Sequence, residues 1–260
     1  MILACLALAK FVLIPAGTYP VGSNNKVVNL SRKVKLKAFE IATTETTNRE
    51  FAEFVRATGY RTDAERFHNG MVFEPGLKEF QWIRDESANW QHPNGSSRDS
   101  IKDRADHPVT CISFYDALAY CRWAKVRLPS LEEWEVACRA GTKTNYFFGT
   151  KPTAIARYAN VWHGRDHLKP DTTDGFMVTA PVASFKPNPL GLYDMYGNVF
   201  EFCSGLVPGD NGKSVAHSRG GSWWCSKNSC CFFNSVDIGK VNPRASFSNQ
   251  GFRVAKTVAK

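Results

Sequence analysis

No apolar run in this sequence approaches the ~20 residues that span a bilayer, which excludes a polytopic membrane protein. There is no glycine-rich phosphate loop, no Gly-x-Ser-x-Gly elbow and no zinc-finger spacing. These absences remove the common signatures of nucleotide, serine-hydrolase and zinc-module chemistry. Low-complexity linkers are missing too, so nothing marks a domain boundary. Charged residues are only 22% and hydrophobic residues 43%, ordinary globular values that exclude wholesale disorder, collagen and coiled coil. The 260 residues suffice to bury a proper core.

The charge balance is basic, with 33 Lys plus Arg against 24 Asp plus Glu, a net +9. The positive residues are scattered, apart from Lys26 to Lys37, where apolar and basic residues alternate as in a strand with one solvated face. A nucleic-acid partner is therefore not expected. The eight cysteines are many for a cytosolic protein and few for a disulfide scaffold. Cys121 and Cys138 sit in helix-like apolar settings and read as buried small hydrophobes. Cys225, Cys230 and Cys231 instead crowd one aromatic, loop-rich segment. Residues 1–10 form a separate N-terminal segment in which Ile2-Leu3-Ala4-Cys5 loosely matches the end of a bacterial lipoprotein signal. The competing reading is a first strand running into Phe11.

Along the chain, Phe11 to Ile14 and Val34 to Ile41 read as strands. Thr47-x-x-Glu50 opens a helix stopped by Gly59, Ser113 to Asp116 caps a second, and Ser130-x-x-Glu133 opens a third. Residues from about Thr62 to Asp106 show little periodicity, and after Gly141 no amphipathic helix is evident. His163 and His167 have metal-like spacing, but their glycine and charged neighbours point to a solvated loop.

Several stretches, in order, resemble the formylglycine-generating enzyme and sulfatase-modifying factor family. They include Thr44-Glu45-Thr46-Thr47-Asn48, Asp106-His107-Pro108-Val109, Arg127-Leu128-Pro129-Ser130, Gly191-Leu192-Tyr193-Asp194, Gly197-Asn198-Val199, Arg219-Gly220-Gly221-Ser222-Trp223 and Gly251-Phe252-Arg253-Val254. The resemblance implies an α+β domain over residues 11–260, a variant of the C-type lectin fold with little regular secondary structure and a loop-built binding face. Function must still be argued from the site.

The resemblance leads to two functions of different classes. One branch of this fold carries a retroelement-diversified variable region at the domain's C-terminal end. The segment from Trp224 to Gln250 looks like such a region, because framework motifs hold on both sides and dissolve between. The expected face comprises Trp224, Cys225, Ser226, Asn228, Ser229, Cys231, Phe233, Ser235, Asp237, Gly239, Asn242, Ser246, Phe247, Ser248 and Asn249. Its aromatic anchors and adaptable polar neighbours are paratope-like. Such a protein would be a monomer at a bacterial cell envelope, perform no catalysis, require no cofactor, bind a protein or glycan, and touch the membrane only through a lipid on Cys5. The alternative is an oxidase: in the family's enzymes two cysteines after Gly-Gly-Ser bind copper(I), and Cys225, Cys230 and Ser222 match that motif. The chain departs from the enzymes with Phe200 and Phe202 where they carry tryptophan, and without their arginines after the second cysteine. These departures tip the expectation toward the display protein. The resemblance further implies structural calcium, with Asn160 and Asp174 as ligands, and Asn198 and Glu201 as candidates for a second site.

Overall fold

Short elements alternate with long irregular stretches. The computed structural model describes residues 9–25, 29–169, 172–209, 212–231 and 233–258. In chain order they form β1 (Phe11–Ile14), β2 (Gly17–Val21), β3 (Arg32–Leu36), β4 (Phe39–Ala42), α1 (Asn48–Thr58), α2 (Asp63–Phe67), β5 (Gly70–Val72), β6 (Ile83–Asp85), α3 (Phe114–Ala124) and α4 (Leu131–Arg139). A 3-10 turn (Pro152–Arg157) follows, then β7 (Phe200–Pro208), β8 (Ser214–Arg219), β9 (Gly239–Val241), β10 (Ser246–Phe247), β11 (Gln250–Gly251) and β12 (Ala255–Thr257). Cys5 and Phe232 lie outside the described residues, as does the start of the basic stretch at Lys26. No helix among the described residues is long and apolar enough to cross a membrane.

All four α-helices start at a Thr or Ser that closes a capping box with the residue three positions on. Each box satisfies backbone N–H groups that would otherwise be orphaned. The helix at Thr62-Asp63-Ala64-Glu65 is too short to show an apolar face in the sequence. The expected strand over Val34 to Ile41 is two strands, because the chain turns at Lys37-Ala38 and changes partner: β3 pairs with β2, and β4 with β1. The solvated basic face is confirmed on β3, where Arg32, Lys33 and Lys35 are exposed.

The two ends of the chain share a sheet of order β1-β4-β12, antiparallel throughout. A four-stranded sheet of order β11-β7-β8-β9 carries the C-terminal half, with β11 parallel to β7. One hydrophobic cluster gathers Phe39, Ile41, Trp134, Tyr196 and Cys203. A second packs α1 on α3 through Phe51, Phe54 and Tyr120, and joins them to Phe252. Cys121 and Cys138 are buried as expected, and burial pushes both thiols up to about 12.

Charge is matched inside this frame. Arg253 is fully buried and donates to both carboxylate oxygens of Glu201 at 2.6 Å, while Trp134 Nε1 donates to Oε2 at 2.6 Å. Glu135, also fully buried, accepts from Arg139 at 2.9 Å, Arg219 at 3.0 Å and Asn29 at 2.8 Å. Such pairs hold register, and removing one partner leaves an uncompensated buried charge.

Candidate active site

The segment leaving β8 turns sharply at Gly220 (φ 91°) and Gly221 (φ 75°). A β-carbon on Gly220 would also come within 3.2 Å of the Trp134 ring, so the turn favours glycine and the space is tight for anything larger. The turn delivers Ser222 and then Cys225. A tight loop follows, closed by Ser226 N donating to the Ser229 carbonyl at 2.9 Å. It returns Cys230 to Cys225, the two Cα atoms are 5.0 Å apart, and the sulfurs are joined as a disulfide. Cys230 (φ 63°) and Cys231 (φ 54°) both lie in the left-handed region, uncommon for non-glycine residues and often a mark of a functional loop.

Cys225 is fully buried and Cys230 is half-buried. Ser222 Oγ lies 3.9 Å from Cys225 Sγ. It accepts hydrogen bonds from Asn249 Nδ2 at 2.9 Å and from Trp224 N at 3.3 Å. With its oxygen thus occupied, the hydroxyl proton is left to point at the sulfur, where it would favour a thiolate.

Cys230 lines a cleft of about 240 Å³. Its walls are aromatic, formed by Phe80, Trp82, Phe200, Trp224 and Phe247. The floor lies on the four-stranded sheet at Ser218, Gly239 and Val241. Phe200 therefore still walls the cleft where the family carries tryptophan, while Phe202 is fully buried against Phe114 and takes no part.

His167 is not on a solvated loop. It is 1% exposed, and its ring stacks on Trp224 with centroids 4.1 Å apart. Nδ1 lies 2.6 Å from Glu79 Oε1 and Nε2 lies 2.7 Å from the Trp224 carbonyl. Ser229 Oγ donates to the other oxygen of Glu79. Burial pushes the Glu79 carboxyl up, but hydrogen bonds from His167 and Ser229 outweigh it and leave the group below its ordinary range. The cysteine loop is thus braced at Trp224 and Ser229 by residues far away in the chain. No local signal in the sequence marks this, because Glu79 is 88 positions from His167.

The Sulfatase-modifying factor enzyme 1-like domain matches residues 4–258. The chain belongs to the sulfatase-modifying factor family. It is 36% identical to the formylglycine-generating enzyme of Mus musculus, over 96% of this chain and 76% of that protein. It is also 33% identical to the inactive C-alpha-formylglycine-generating enzyme 2 of Bos taurus, over 95% of this chain and 87% of that protein. Among solved structures, PvdO from Pseudomonas aeruginosa superposes with a TM-score of 0.70 at 22% identity, covering 98% of this chain and 96% of the other. Treponema denticola variable protein 1 gives 0.64 at 20% identity, covering 95% and 94%. The two structures establish the C-type-lectin-like fold alone. Membership in a family with both active and inactive proteins returns the question to the residues.

A display face needs exposed side chains, and most of the expected set are interior. Trp224, Cys225, Ser226, Ser229, Phe233, Ser235, Ser246, Ser248 and Asn249 are buried. Asp237, Gly239 and Phe247 are half-buried, and only Asn228, Cys231 and Asn242 are exposed. The expectation failed because small polar residues here serve the interior: Ser226 Oγ accepts from Asn228 N and Ser229 N, and Ser235 Oγ donates to the Asn145 carbonyl.

The second metal pair is also corrected. Asn198 Oδ1 accepts from Ala180 N and Asn160 Nδ2, and its Nδ2 donates to Glu45. Glu201 is committed to Arg253 and Trp134. These are internal hydrogen bonds rather than ligand positions. Around them, burial pushes Glu45 up, reinforced by Asp194 and Glu201, and burial pushes Asp194 up to about 6. At the first pair, Asn160 Nδ2 donates to the Val178 carbonyl and to Asn198. Asp174 Oδ1 accepts from Phe176 N, whereas Oδ2 is buried without a hydrogen-bond partner and lies 3.3 Å from His163 Nε2. A buried carboxylate oxygen that accepts no hydrogen bond fits a hard cation such as calcium. No group of three or more His, Cys, Asp or Glu converges on a metal-sized point among the described residues.

Proposed function

We propose that this chain is a copper-dependent oxidase that converts a cysteine side chain of a substrate polypeptide into formylglycine. The observation that carries the reading is the pairing of Cys225 with Cys230, with Ser222 behind Cys225 and Cys230 on the wall of an aromatic cleft. The identity to formylglycine-generating enzymes over nearly the whole chain supports it. A display role has no comparable support, since most of its expected face is interior.

The donor set fits copper(I). Two sulfurs close enough to bond each other can, once reduced, face one soft ion as thiolates. Bound copper(I) would supply a soft electron donor open to a further thiolate and to dioxygen. The protein's own residues do the rest. Ser222 favours the thiolate of Cys225. The left-handed backbone at Cys230 presents its sulfur to the cleft. Glu79, His167 and Ser229 hold the loop in register, and the aromatic walls exclude water.

The electron count fixes what else is needed. Per turnover dioxygen accepts four electrons. Two leave the substrate Cβ as its C–S bond is replaced by C=O, and two leave an external thiol pair that becomes a disulfide. Sulfur departs as hydrogen sulfide and one water forms. The same thiol pool can open the Cys225–Cys230 disulfide.

A copper(I) competition titration tests this reading. The reduced protein should take up one ion per chain, and Cys225→Ser and Cys230→Ser should each lose it. Absence of stoichiometric copper(I) binding in the reduced wild type would overturn the reading. For calcium, the proposed holders are Asp174 and Asn160. Added calcium should raise the Tm of the wild type and leave that of Asp174→Asn unchanged.

A further inference from the structure

His167, in the brace on the cysteine loop, is enclosed by hydrogen-bond acceptors. It is buried, and each ring nitrogen faces an oxygen: Nδ1 lies 2.6 Å from Glu79 Oε1 and Nε2 lies 2.7 Å from the Trp224 carbonyl. A carbonyl can only accept, so Nε2 carries a proton. A bare Nδ1 at that distance from a carboxylate would set two lone pairs against each other, so a proton lies there as well. Ser229 Oγ donates to the other oxygen of Glu79, and the Glu79 side chain is partly exposed, so the carboxyl is well served as an anion. The ring lies against two indoles, its centroid 4.1 Å from that of Trp224 and 4.7 Å from that of Trp162, and the Trp224 stack is within 12° of parallel. Indole faces attract a cation. Of the charged side chains on the segments packed against the ring, Glu79 alone among the described residues pairs with it. Asp166 accepts from Leu168 N within its own turn, and Lys78, Arg165, Lys169 and Lys227 are exposed.

We infer that His167 is a positioning residue held as an imidazolium, and that its charged pair with Glu79 fixes the cysteine loop. The pair grips the residue before each cysteine. His167 Nε2 donates to the carbonyl of Trp224, which precedes Cys225, and Glu79 accepts from Ser229, which precedes Cys230. A neutral histidine has a single N–H. Spent on Trp224, it leaves nothing for Glu79, and the hold on Ser229 goes with it. The segment carrying His167 makes two more ties to the same loop. Trp162 N donates to the Cys225 carbonyl at 3.0 Å, and Asn228 Nδ2 donates to the Arg165 carbonyl at 3.0 Å. The inference concerns the metal-free loop and does not depend on what the cysteines do chemically.

Two measurements on the oxidised full chain without copper test it. Nitrogen NMR of the histidine side chains at about pH 7, with His167 assigned through its own Cβ, should show a proton on both of its ring nitrogens. In Glu79→Gln the new amide can donate to Nδ1 and still accept from Ser229, so the ring should carry one proton and the brace should survive. The second measurement is the rate at which a phosphine reduces Cys225–Cys230 at the same pH. His167→Gln offers the Trp224 carbonyl a donor but turns an amide oxygen toward Glu79. It should be reduced about tenfold faster than wild type, the scale of one lost charged hydrogen bond. Glu79→Gln should stay within about twofold of wild type. In His167→Gln/Glu79→Gln the two amides can pair, and the rate should return toward that of wild type. Packing alone would leave the double variant as fast as the single one. A single ring proton on His167 in the wild type would overturn the inference, as would wild-type reduction of His167→Gln or no slowing by the second substitution. Should His167→Gln fail to fold, the ring protons of the wild type and of Glu79→Gln decide the matter alone.

Discussion

The Arg253–Glu201 centre and the Cys225–Cys230 loop are both interior, but they treat their polar groups in opposite ways. At the first, a buried cation meets a buried carboxylate in two 2.6 Å hydrogen bonds, with an indole N–H added. At the second, backbone sits in the left-handed region and the indole N–H of Trp224 lacks a partner. One centre is saturated, while the other keeps left-handed backbone and one unpaired donor. The difference separates what holds the fold from what the oxidase reading assigns to the substrate.

The contrast predicts distinct phenotypes. Glu201→Gln strands the Arg253 charge in the interior and should cost about 3–5 kcal/mol, measured by urea unfolding, without altering the cysteine loop's chemistry. Equal stability of variant and wild type would show that the centre is not saturated.

Asp116 offers a pH-dependent version. Burial pushes its carboxyl up to about 6, although it accepts from Ser113 N and Tyr60 Oη. A carboxyl whose folded pKa is raised binds its proton more tightly in the native state. Its stabilising contribution is therefore fully present below the unfolded value near 3.9 and is lost as pH rises through about 6. Compared with Asp116→Asn, the wild type should gain ~2 kcal/mol between pH 7 and pH 4. A difference that does not change with pH would contradict this.

On the other side of the comparison, Ser222→Ala should lower copper(I) affinity by about 10–100-fold, the usual effect of losing a hydrogen bond to a metal ligand. Its Tm should stay close to wild type. A large Tm loss with unchanged affinity would make Ser222 part of the frame. The smallest expected effect is Thr47→Ala, which removes one cap from α1 and should cost ~1 kcal/mol in unfolding free energy and nothing in copper binding.

What could be read in the sequence follows the same divide. Capping boxes are local, so the helices opening at Thr47, Ser113 and Ser130 were legible. Thr62-Asp63-Ala64-Glu65 carried the same signal and was missed only because no long apolar face followed it. The cysteine pair was legible from its spacing after Gly-Gly-Ser. The brace was not, because Glu79, His167 and Ser229 meet only through tertiary packing. Nor was the burial of Trp224 to Asn249. In a fold with little regular structure, serines and asparagines supply the hydrogen bonds that strands and helices supply elsewhere. A loop that looks like surface can therefore be core.

The central claim is that the cysteine loop is a copper oxidase site. It is tested most directly by turnover of a cysteine-containing peptide by the reduced, copper(I)-loaded chain with dioxygen and excess thiol, followed by mass spectrometry. The account predicts formylglycine product, absent in Cys225→Ser and Cys230→Ser. No product from a chain that binds copper(I) and peptide would contradict it.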